Sequence, residues 1–254
     1  MSLSLSRRGL FGLATASAAC PLCPDAHADT APHWSYEGHA APAKWGELSP
    51  DFKTCSLGVE QTPIDLKSGI RARSGTVDIR YPKIPLTILN NGHTIQVNTP
   101  PGGRLAINGT DYDLVQFHFH HPSEHLLAGK VLAMELHFVH KAANGALAVV
   151  GVFIQPGMAN KALGPIWAAM PAKETPAQGV SGMVVDPAGL LPKERGYFRY
   201  MGSLTTPPCS EGLTWTVFRS PIQASPEQIR QFGALFANNA RPIQPINRRF
   251  LLES

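Results

Sequence analysis

The stretch from Gln116 to His140, QFHFHHPSEHLLAGKVLAMELHFVH, constrains the fold most because it carries most of the chain's histidines. Its first part alternates aromatic and polar residues, which is typical of a β-strand. Successive side chains of a strand point to opposite faces, so His118 and His120 share one face. Phe117 and Phe119 share the other. The pattern predicts a strand with a hydrophobic side and an imidazole side.

A second run, Val131 to His140, follows a turn at Gly129-Lys130. Within this run Glu135, His137 and Val139 share one face of a strand. If the two strands pair antiparallel, His137 meets the histidines of the first strand. Three imidazoles that converge on one point form a zinc site that keeps its fourth position open for water. The sequence therefore predicts a catalytic type of zinc centre.

Two polar residues near these histidines predict how the rings are oriented. Gln116 lies two residues before His118, and Glu135 lies two residues before His137, each on the face of its histidine. A metal-ligating imidazole usually donates its other N–H to a carboxylate, amide or carbonyl. The alternative is that the His-x-His pair is only a satisfied polar pair in an aromatic strand. The third histidine and the two orienting partners favour the metal site.

The stretch resembles the metal core of the α-class carbonic anhydrases, and the resemblance covers about residues 33 to 250. Gln61-Thr-Pro-Ile-Asp65 is similar to the family's Gln-Ser-Pro-Ile-Asn/Asp signature. Gly202-Ser-Leu-Thr-Thr-Pro-Pro208 is a second block of the same resemblance. The departures are small: His121 stands where a tryptophan is common in animal members, and Gln96 stands where an asparagine is frequent. They affect expectations about inhibitor selectivity and the water network.

The resemblance implies roles for individual residues around the metal. Thr205 accepts a hydrogen bond from zinc-bound hydroxide and donates its own to Glu124, which directs the hydroxide lone pair at the substrate. Thr206 contacts bicarbonate. The backbone carbonyl of Asn239 orients His120.

Other matched positions surround the site at a greater distance. His93, after the turn Leu89–Gly92, matches the histidine that carries protons at the rim of the cleft. Tyr36 and Gln96 match members of the water network. The apolar wall against which carbon dioxide lies is implied at Val139, Val149, Leu204, Leu213 and Trp215, where a purely core role is the alternative for each residue.

Three more matches imply structural roles. His125 and His140 are expected to be bonded within the core. Tyr200 is implied as the partner of His125.

The composition is compatible with the fold that the resemblance implies. That fold is mainly β, a single domain with a large, twisted, mostly antiparallel sheet, short peripheral helices and a conical zinc cleft. The chain has 254 residues, of which 43% are hydrophobic. A chain of this size buries about 70% of its extended surface, so it does not need a metal ion to fold. With 23 Pro and 23 Gly, it should contain many turns and little long helix.

Local patterns predict several individual elements. Leu86–Val97 is expected to be a strand pair broken by the turn signal Asn90-Asn91-Gly92. The apolar run Ala146–Ile154 is expected to be a central strand. Met158–Met170 is predicted to be a short helix and Pro171–Leu191 a loop. Ser225, followed by Pro226 and Gln228, predicts a capped helix. Its buried face is expected to consist of Ile229, Phe232, Leu235 and Phe236.

The first 28 residues are interpreted as a twin-arginine export signal. Ser6–Phe11 reads SRRGLF, an apolar run of small residues follows, and cleavage is expected after Ala28. The apolar run is too short for a membrane anchor. We therefore expect a catalytic domain over residues 29–254, located in the periplasm, with secretion as an alternative.

The cysteines also divide at the expected cleavage point. Cys20 and Cys23 precede it, and the sequence before Cys20 is a poor lipidation signal. Only Cys55 and Cys209 then remain in the mature chain, and two cysteines in an exported protein predict one disulfide. Both positions match the family's extracellular pair.

The function implied by the resemblance is zinc-dependent, reversible hydration of carbon dioxide to bicarbonate and a proton. Zinc-bound hydroxide attacks the substrate, and His93 exports the proton. Sulfonamides or anions are the expected inhibitors. A non-catalytic zinc- or ligand-binding module on the same fold is a rival, but such a scavenger should carry a histidine-rich tract, and this sequence has none. A zinc esterase is a second rival that uses the same site.

Charge narrows the range of partners. The formal net charge is only +4, and the lysines and arginines are scattered without a basic stripe. Nucleic acid is therefore not expected as a partner. The sequence is compatible with a monomer or a homodimer.

Overall fold

The computed structural model describes residues 32–72 and 77–254. The export signal predicted over residues 1–28, and the cleavage site after Ala28, lie outside these residues. Among the described residues, none of the helices is both long and apolar enough to cross a membrane.

The described part of the chain is mainly β, as predicted. The strands, in chain order, are β1 Asp65–Leu66, β2 Ile70–Arg71, β3 Val77–Arg80, β4 Ile84–Asn90, β5 Ile95–Asn98, β6 Arg104–Ile107, β7 Thr110–His120, β8 Leu126–Leu127, β9 Met134–Lys141, β10 Leu147–Pro156, β11 Thr175–Val185, β12 Tyr197–Ser203, β13 Glu211–Phe218, β14 Ile222–Ala224 and β15 Leu252–Glu253. The α-helices are short: α1 Trp45–Leu48, α2 Thr54–Leu57, α3 Gly164–Ala169 and α4 Pro226–Gly233.

Thirteen of the described strands form one large sheet. Its main path runs in the order β11-β4-β5-β7-β9-β10-β13-β12-β15-β2, while β3, β6 and β14 pair off this path. Most neighbours are antiparallel, but β10 pairs parallel with both β13 and β14, and β15 pairs parallel with β2. The sheet is therefore mixed. The chain between β10 and β13 is long enough to return to the same edge, which a parallel pair requires.

The two faces of this sheet bury different sets of side chains. One face carries a large hydrophobic cluster that includes Phe117, Phe119 and Phe138. A second cluster is built on Val149 and Trp215, and it packs near the histidines. The predicted alternation of β7 is thus confirmed. Its phenylalanines lie in the main core, and its histidines face the other way.

The predictions for β4, β5 and β10 are confirmed. The chain turns at residues 91–94 between β4 and β5, where Gly92 has φ of +83°, a conformation that favours glycine. Strand β10 is central, since it pairs with β9, β13 and β14, and it is almost entirely buried.

For the following region, one prediction is confirmed only in part and another is wrong. The helix expected over Met158–Met170 is only Gly164–Ala169, because Pro165 fits the first turn of a helix and not its interior. The loop expected over Pro171–Leu191 contains strand β11. This strand is mostly exposed and pairs with β4 through two irregularities of register. Its glycines and polar residues give no alternating pattern, so sequence periodicity could not reveal it.

Helix α4 begins as its sequence predicts. The Ser225 hydroxyl accepts from the Gln228 N–H at 3.1 Å, and the Gln228 side chain accepts from the Ser225 N–H at 3.1 Å. Ile229 and Phe232 are buried on its inner face. The helix ends at Gly233, so the other two residues of the predicted face pack against the core from beyond its end.

The N-terminal part of the described chain is attached to the sheet by aromatic packing and a disulfide. Trp45 is fully buried, and it packs with Trp34 and Tyr36 in a small cluster that also contains Cys55 and Cys209. The predicted disulfide Cys55–Cys209 is present and closes a separation of 154 residues. It connects α2 to the segment that directly follows Thr205 and Thr206.

Candidate metal centre

The pairing of β7 with β9 brings the three predicted histidines together. His118 lies directly opposite His137 in the antiparallel register, and His120 lies opposite Glu135. One nitrogen from each of His118, His120 and His137 falls within 4.8 Å of the others. Neighbouring strands thus place three imidazoles at one point without any loop contributing a ligand atom.

A hydrogen bond at the other nitrogen orients each ring. His118 Nδ1 lies 2.8 Å from Gln116 Oε1, and His137 Nε2 lies 2.9 Å from Glu135 Oε1. His120 Nδ1 lies 2.8 Å from the backbone oxygen of Asn239. Because acceptors take these N–H groups, the remaining nitrogen of each ring is left to present its lone pair to the common centre.

An unpaired buried imidazole nitrogen at the centre indicates that a cation belongs there. His120 Nε2 and Glu124 Oε2 are buried without a hydrogen-bond partner among the described residues, and they lie 3.6 Å apart. Burial lowers the pKa of all three histidines, to about 4 for His120. Neutral imidazoles in this arrangement fit a divalent metal ion that accepts nitrogen ligands.

A second group of potential ligands, His125, Glu135 and His137, lies close by but is already satisfied. His125 bonds Glu135 through Nδ1 at 2.7 Å and the Tyr200 hydroxyl through Nε2 at 2.6 Å. Glu135 Oε2 accepts the backbone N–H groups of Glu124 and His125. His125 and Glu135 therefore form a hydrogen-bond network behind the first group and have no lone pair to spare for a metal ion.

His125 and His140 lie in the core, as expected. Tyr200 is the partner of His125, as the resemblance implied. His140 lies 2.7 Å from the Tyr81 hydroxyl and 3.2 Å from the oxygen of Ala148. Burial lowers its pKa to about 3, so it stays neutral. The sequence held no signal for Tyr81, which contacts His140 from a distant part of the chain.

Glu124 is a buried carboxyl at the edge of the metal centre. Burial raises its pKa to about 7, against the opposing effects of His137 and of the Arg241 backbone N–H. That N–H donates to Glu124 Oε1 at 2.9 Å. Thr205 is buried next to this carboxyl and also lowers its pKa. The structure thus brings together the two residues that were expected to act as a pair.

Arg241 is a site residue that sequence reasoning missed. Its guanidinium is buried and donates to Gln61 Oε1, to the Thr62 carbonyl and to the Cys55 carbonyl at 2.8–2.9 Å. It therefore connects the Gln61–Asp65 signature and the disulfide to the backbone that holds Glu124. No local motif surrounds Arg241, so only the tertiary contacts identify it.

The five residues expected to form the apolar wall pack together in one hydrophobic cluster. Val149, Leu213 and Trp215 are buried in the second hydrophobic cluster, with Val139 and Leu204 partly buried against it. The Trp215 ring meets the His137 ring edge-on, with centroids 4.9 Å apart. Thr206 is partly exposed beside this wall. The group therefore packs directly against one of the candidate metal ligands.

His93 is half-buried, and a side chain holds its turn. Asn91 Oδ1 accepts from the backbone N–H of His93 at 3.0 Å and of Thr94 at 2.9 Å. The His93 ring stacks on Trp34, with centroids 3.7 Å apart and planes inclined by 9°. Burial and His33 lower the pKa of His93, while Glu174 raises it. The stacking partner Trp34 was not foreseen.

The two residues assigned to the water network lie next to different histidines of the site. The Tyr36 ring meets His93 edge-on, with centroids 6.5 Å apart. Gln96 is opposite His118 in the register of β5 and β7, and it donates to Asn98 Oδ1 at 2.7 Å.

Comparison with known proteins gives the family. The model for eukaryotic-type carbonic anhydrases matches residues 40–254. The chain belongs to the eukaryotic-type, or alpha, carbonic anhydrase family. A carbonic anhydrase from a Nostoc species is 43% identical over the whole of both chains.

Solved structures of the family agree with this assignment. The α-carbonic anhydrase from Thermovibrio ammonificans, solved with the inhibitor sulfanilamide, superposes with a TM-score of 0.84 at 42% identity, covering 87% of this chain and 99% of that one. A dioscorin complexed with ascorbate has a TM-score of 0.79 at 34% identity and covers 87% of this chain and 97% of that one. Carbonic anhydrases thus share their fold with dioscorin. The fold alone therefore does not give the function, which has to be inferred from the residues of the site.

We expect each chain to bind one divalent metal ion at His118, His120 and His137. Replacing any of them with Ala should abolish stoichiometric binding, measured as zinc content after dialysis. Gln116→Ala and Glu135→Ala should weaken binding by roughly 10- to 100-fold, because the rings lose the bonds that orient them. His121→Ala is the matched control, since this histidine follows a ligand in the chain and its ring bonds the Ala237 carbonyl through Nδ1 and not the candidate metal centre. Full zinc content in all three ligand variants would place the metal elsewhere.

Proposed function

We propose that this protein catalyses the reversible hydration of carbon dioxide to bicarbonate and a proton with a zinc ion held by His118, His120 and His137. The observation that carries the proposal is the convergence of three oriented imidazoles on one point. One of their nitrogens, His120 Nε2, is buried without a hydrogen-bond partner among the described residues. Membership of the carbonic anhydrase family supports the same reaction.

Zinc is the metal that suits this ligand set best. Three neutral nitrogen ligands with a fourth position open is the arrangement of catalytic zinc sites. When bound, the ion lowers the pKa of a water molecule in the open position to about 7, a figure for which carbonic anhydrase is itself the reference case. The neutral imidazoles leave the double charge of the metal undiminished.

Thr205 and Glu124 orient the reacting water. The Arg241 backbone N–H occupies Glu124 Oε1, so Oε2 is left to accept the Thr205 hydroxyl proton. A threonine hydroxyl can donate one hydrogen bond. Because Thr205 donates it to Glu124, the hydroxyl oxygen of Thr205 can only accept a hydrogen bond from the water. This leaves a lone pair of the water directed at the substrate.

The apolar wall receives carbon dioxide. Val149, Leu213 and Trp215 offer a surface without hydrogen-bonding groups toward the centre, apart from the indole N–H, which donates to the Ser203 carbonyl at 3.0 Å. Thr206 contacts bicarbonate as it leaves. Since a relative was solved with sulfanilamide, sulfonamides and small anions are the inhibitors we propose for this protein as well.

His93 carries the released proton to solvent. Its ring is only half-buried, and its pKa, lowered by burial, keeps it neutral at pH 7 and able to accept a proton. The stack with Trp34 and the Asn91 turn hold the ring in a defined place.

The central prediction is zinc-dependent hydration of carbon dioxide by the purified protein. Stopped-flow measurement with a pH indicator should show activity, loss of activity after chelation of the metal, and recovery on addition of zinc. The double variant His118→Ala/His120→Ala is the control for a site that cannot be reloaded. A zinc-loaded, folded protein without hydration activity would favour the non-catalytic binding module over the enzyme.

The role of His93 predicts a kinetic separation. His93→Ala should lower kcat several-fold or more while kcat/KM for carbon dioxide stays within about twofold, because proton export follows substrate conversion. Imidazole buffer should restore much of the lost rate, and His121→Ala should change neither parameter. An equal loss in both parameters would show that His93 supports the metal centre instead.

We also propose that residues 1–28 direct export by the twin-arginine route, with the mature protein in the periplasm or secreted. The disulfide Cys55–Cys209 supports an oxidising compartment. Replacing Arg7 and Arg8 with Lys should leave an uncleaved precursor in the cytoplasm, detected by fractionation and mass spectrometry. Unchanged export in a strain without the twin-arginine translocase would contradict the proposal.

A further inference from the structure

A cavity of about 1050 Å³ lies apart from the three histidines. It is formed between the C-terminal segment 247–252, strands β12 and β13, and the hairpin of β6 and β7. None of its lining residues is a proposed metal ligand or belongs to the apolar wall for carbon dioxide. Its volume is at the upper end of the roughly 300–1,000 Å³ that is typical of small-molecule sites. It is far larger than a site for carbon dioxide needs to be.

The cavity has apolar walls and an apolar rim. Ile107 and Tyr112, both buried members of the main core, form part of the floor. Val59, Met201 and Phe250 stand at its edge with 63%, 43% and 71% of their surface exposed. Exposed apolar residues that collect around a concavity mark a binding site, whereas isolated ones need no explanation.

The charge of the lining is positive. Arg199, Arg248 and Arg249 line the cavity, while Glu60 is the one acid among the described lining residues. Burial lowers the pKa of Arg199 and Arg249. An excess of guanidinium groups within apolar walls favours a ligand with one anionic group, and a carboxylate matches the planar fork of an arginine.

Part of this charge is held in a fixed position. The Arg249 guanidinium donates to the backbone oxygens of Met201, Pro245 and Ile246 at 2.8–3.1 Å, and it lies 5.5 Å from the centroid of the Tyr200 ring. Backbone carbonyls orient this cation without neutralising it. The Arg249 guanidinium is thus positioned before any ligand binds. This lowers the entropy cost of ordering its side chain when an anion binds.

We propose that this cavity binds a medium-chain organic carboxylate. The hydrocarbon chain lies against the wall formed by Ile107, Tyr112 and Phe250, and the carboxylate meets Arg248 and Arg249. Such a ligand is chemically unlike carbon dioxide and bicarbonate, so the cavity is a second site with its own specificity.

Tyr200 links this cavity to the metal centre. It lines the cavity, and its hydroxyl bonds His125, which bonds Glu135, which in turn bonds His137. A ligand in the cavity therefore contacts a residue that is connected to a metal-orienting carboxylate by a continuous chain of hydrogen bonds.

The test is calorimetric titration of the zinc-loaded protein with octanoate in the presence of saturating sulfanilamide, which blocks the metal site. We expect one octanoate per chain, and butanoate should bind at least tenfold more weakly because it buries less hydrocarbon. Arg248→Glu should weaken octanoate binding at least tenfold. Arg248 is exposed, so this charge reversal should not disturb folding. Phe250→Ala removes an exposed wall residue and should weaken binding at least threefold.

Lys193→Glu is the matched control, because it makes the same charge change at an exposed position outside the cavity. It should alter octanoate affinity less than twofold. Arg248→Glu should also keep the hydration activity and the unfolding temperature of the parent protein. The proposal is overturned if octanoate does not bind, if sulfanilamide displaces it, or if Arg248→Glu and Lys193→Glu affect binding equally.

Discussion

The buried carboxylate of Glu135 is the interaction on which the rest of the site depends. It accepts from two backbone N–H groups, of Glu124 and His125, and from the rings of His125 and His137. Burial would raise the pKa of Glu135, but the two imidazoles and their hydrogen bonds lower it well below its usual value. Burying an ionised carboxylate costs several kcal/mol unless its hydrogen-bonding capacity is satisfied. Loss of any of the four donors would therefore destabilise this arrangement.

Strand pairing places this carboxylate where these partners can reach it. Gly151 lies opposite His137 on β10, and a Cβ at Gly151 would come within 3.2 Å of Glu135 Oε1 and of the Val217 side chain. The absence of a side chain there leaves room for the network. Behind it, Tyr200 and Trp215 fill the second cluster, so the polar network is closed off by packing. The metal centre is therefore rigid because hydrogen bonding and packing specify the same arrangement.

Distinct parts of the chain supply the three functional regions. The strands carry the metal-binding rings, the turn at Asn91 and the stacked Trp34 carry the rim histidine, and the C-terminal segment closes the basic cavity. Among the residues that the structure describes, Tyr200 alone belongs to both the hydrogen-bond network and the cavity. The three groups of residues can thus be substituted independently of one another.

Local sequence determined the parts of this protein that follow from period and spacing. The alternation from Gln116 to His120 places its imidazoles on one face, two-residue spacing predicts Gln116 and Glu135 as their partners, and Ser225 with Gln228 caps α4. Only the tertiary structure revealed Arg241 under Glu124, Trp34 on His93, edge strand β11 and the arginine-lined cavity. These contacts join residues far apart in the chain or rest on backbone pairing, and no local pattern records which distant segments will meet.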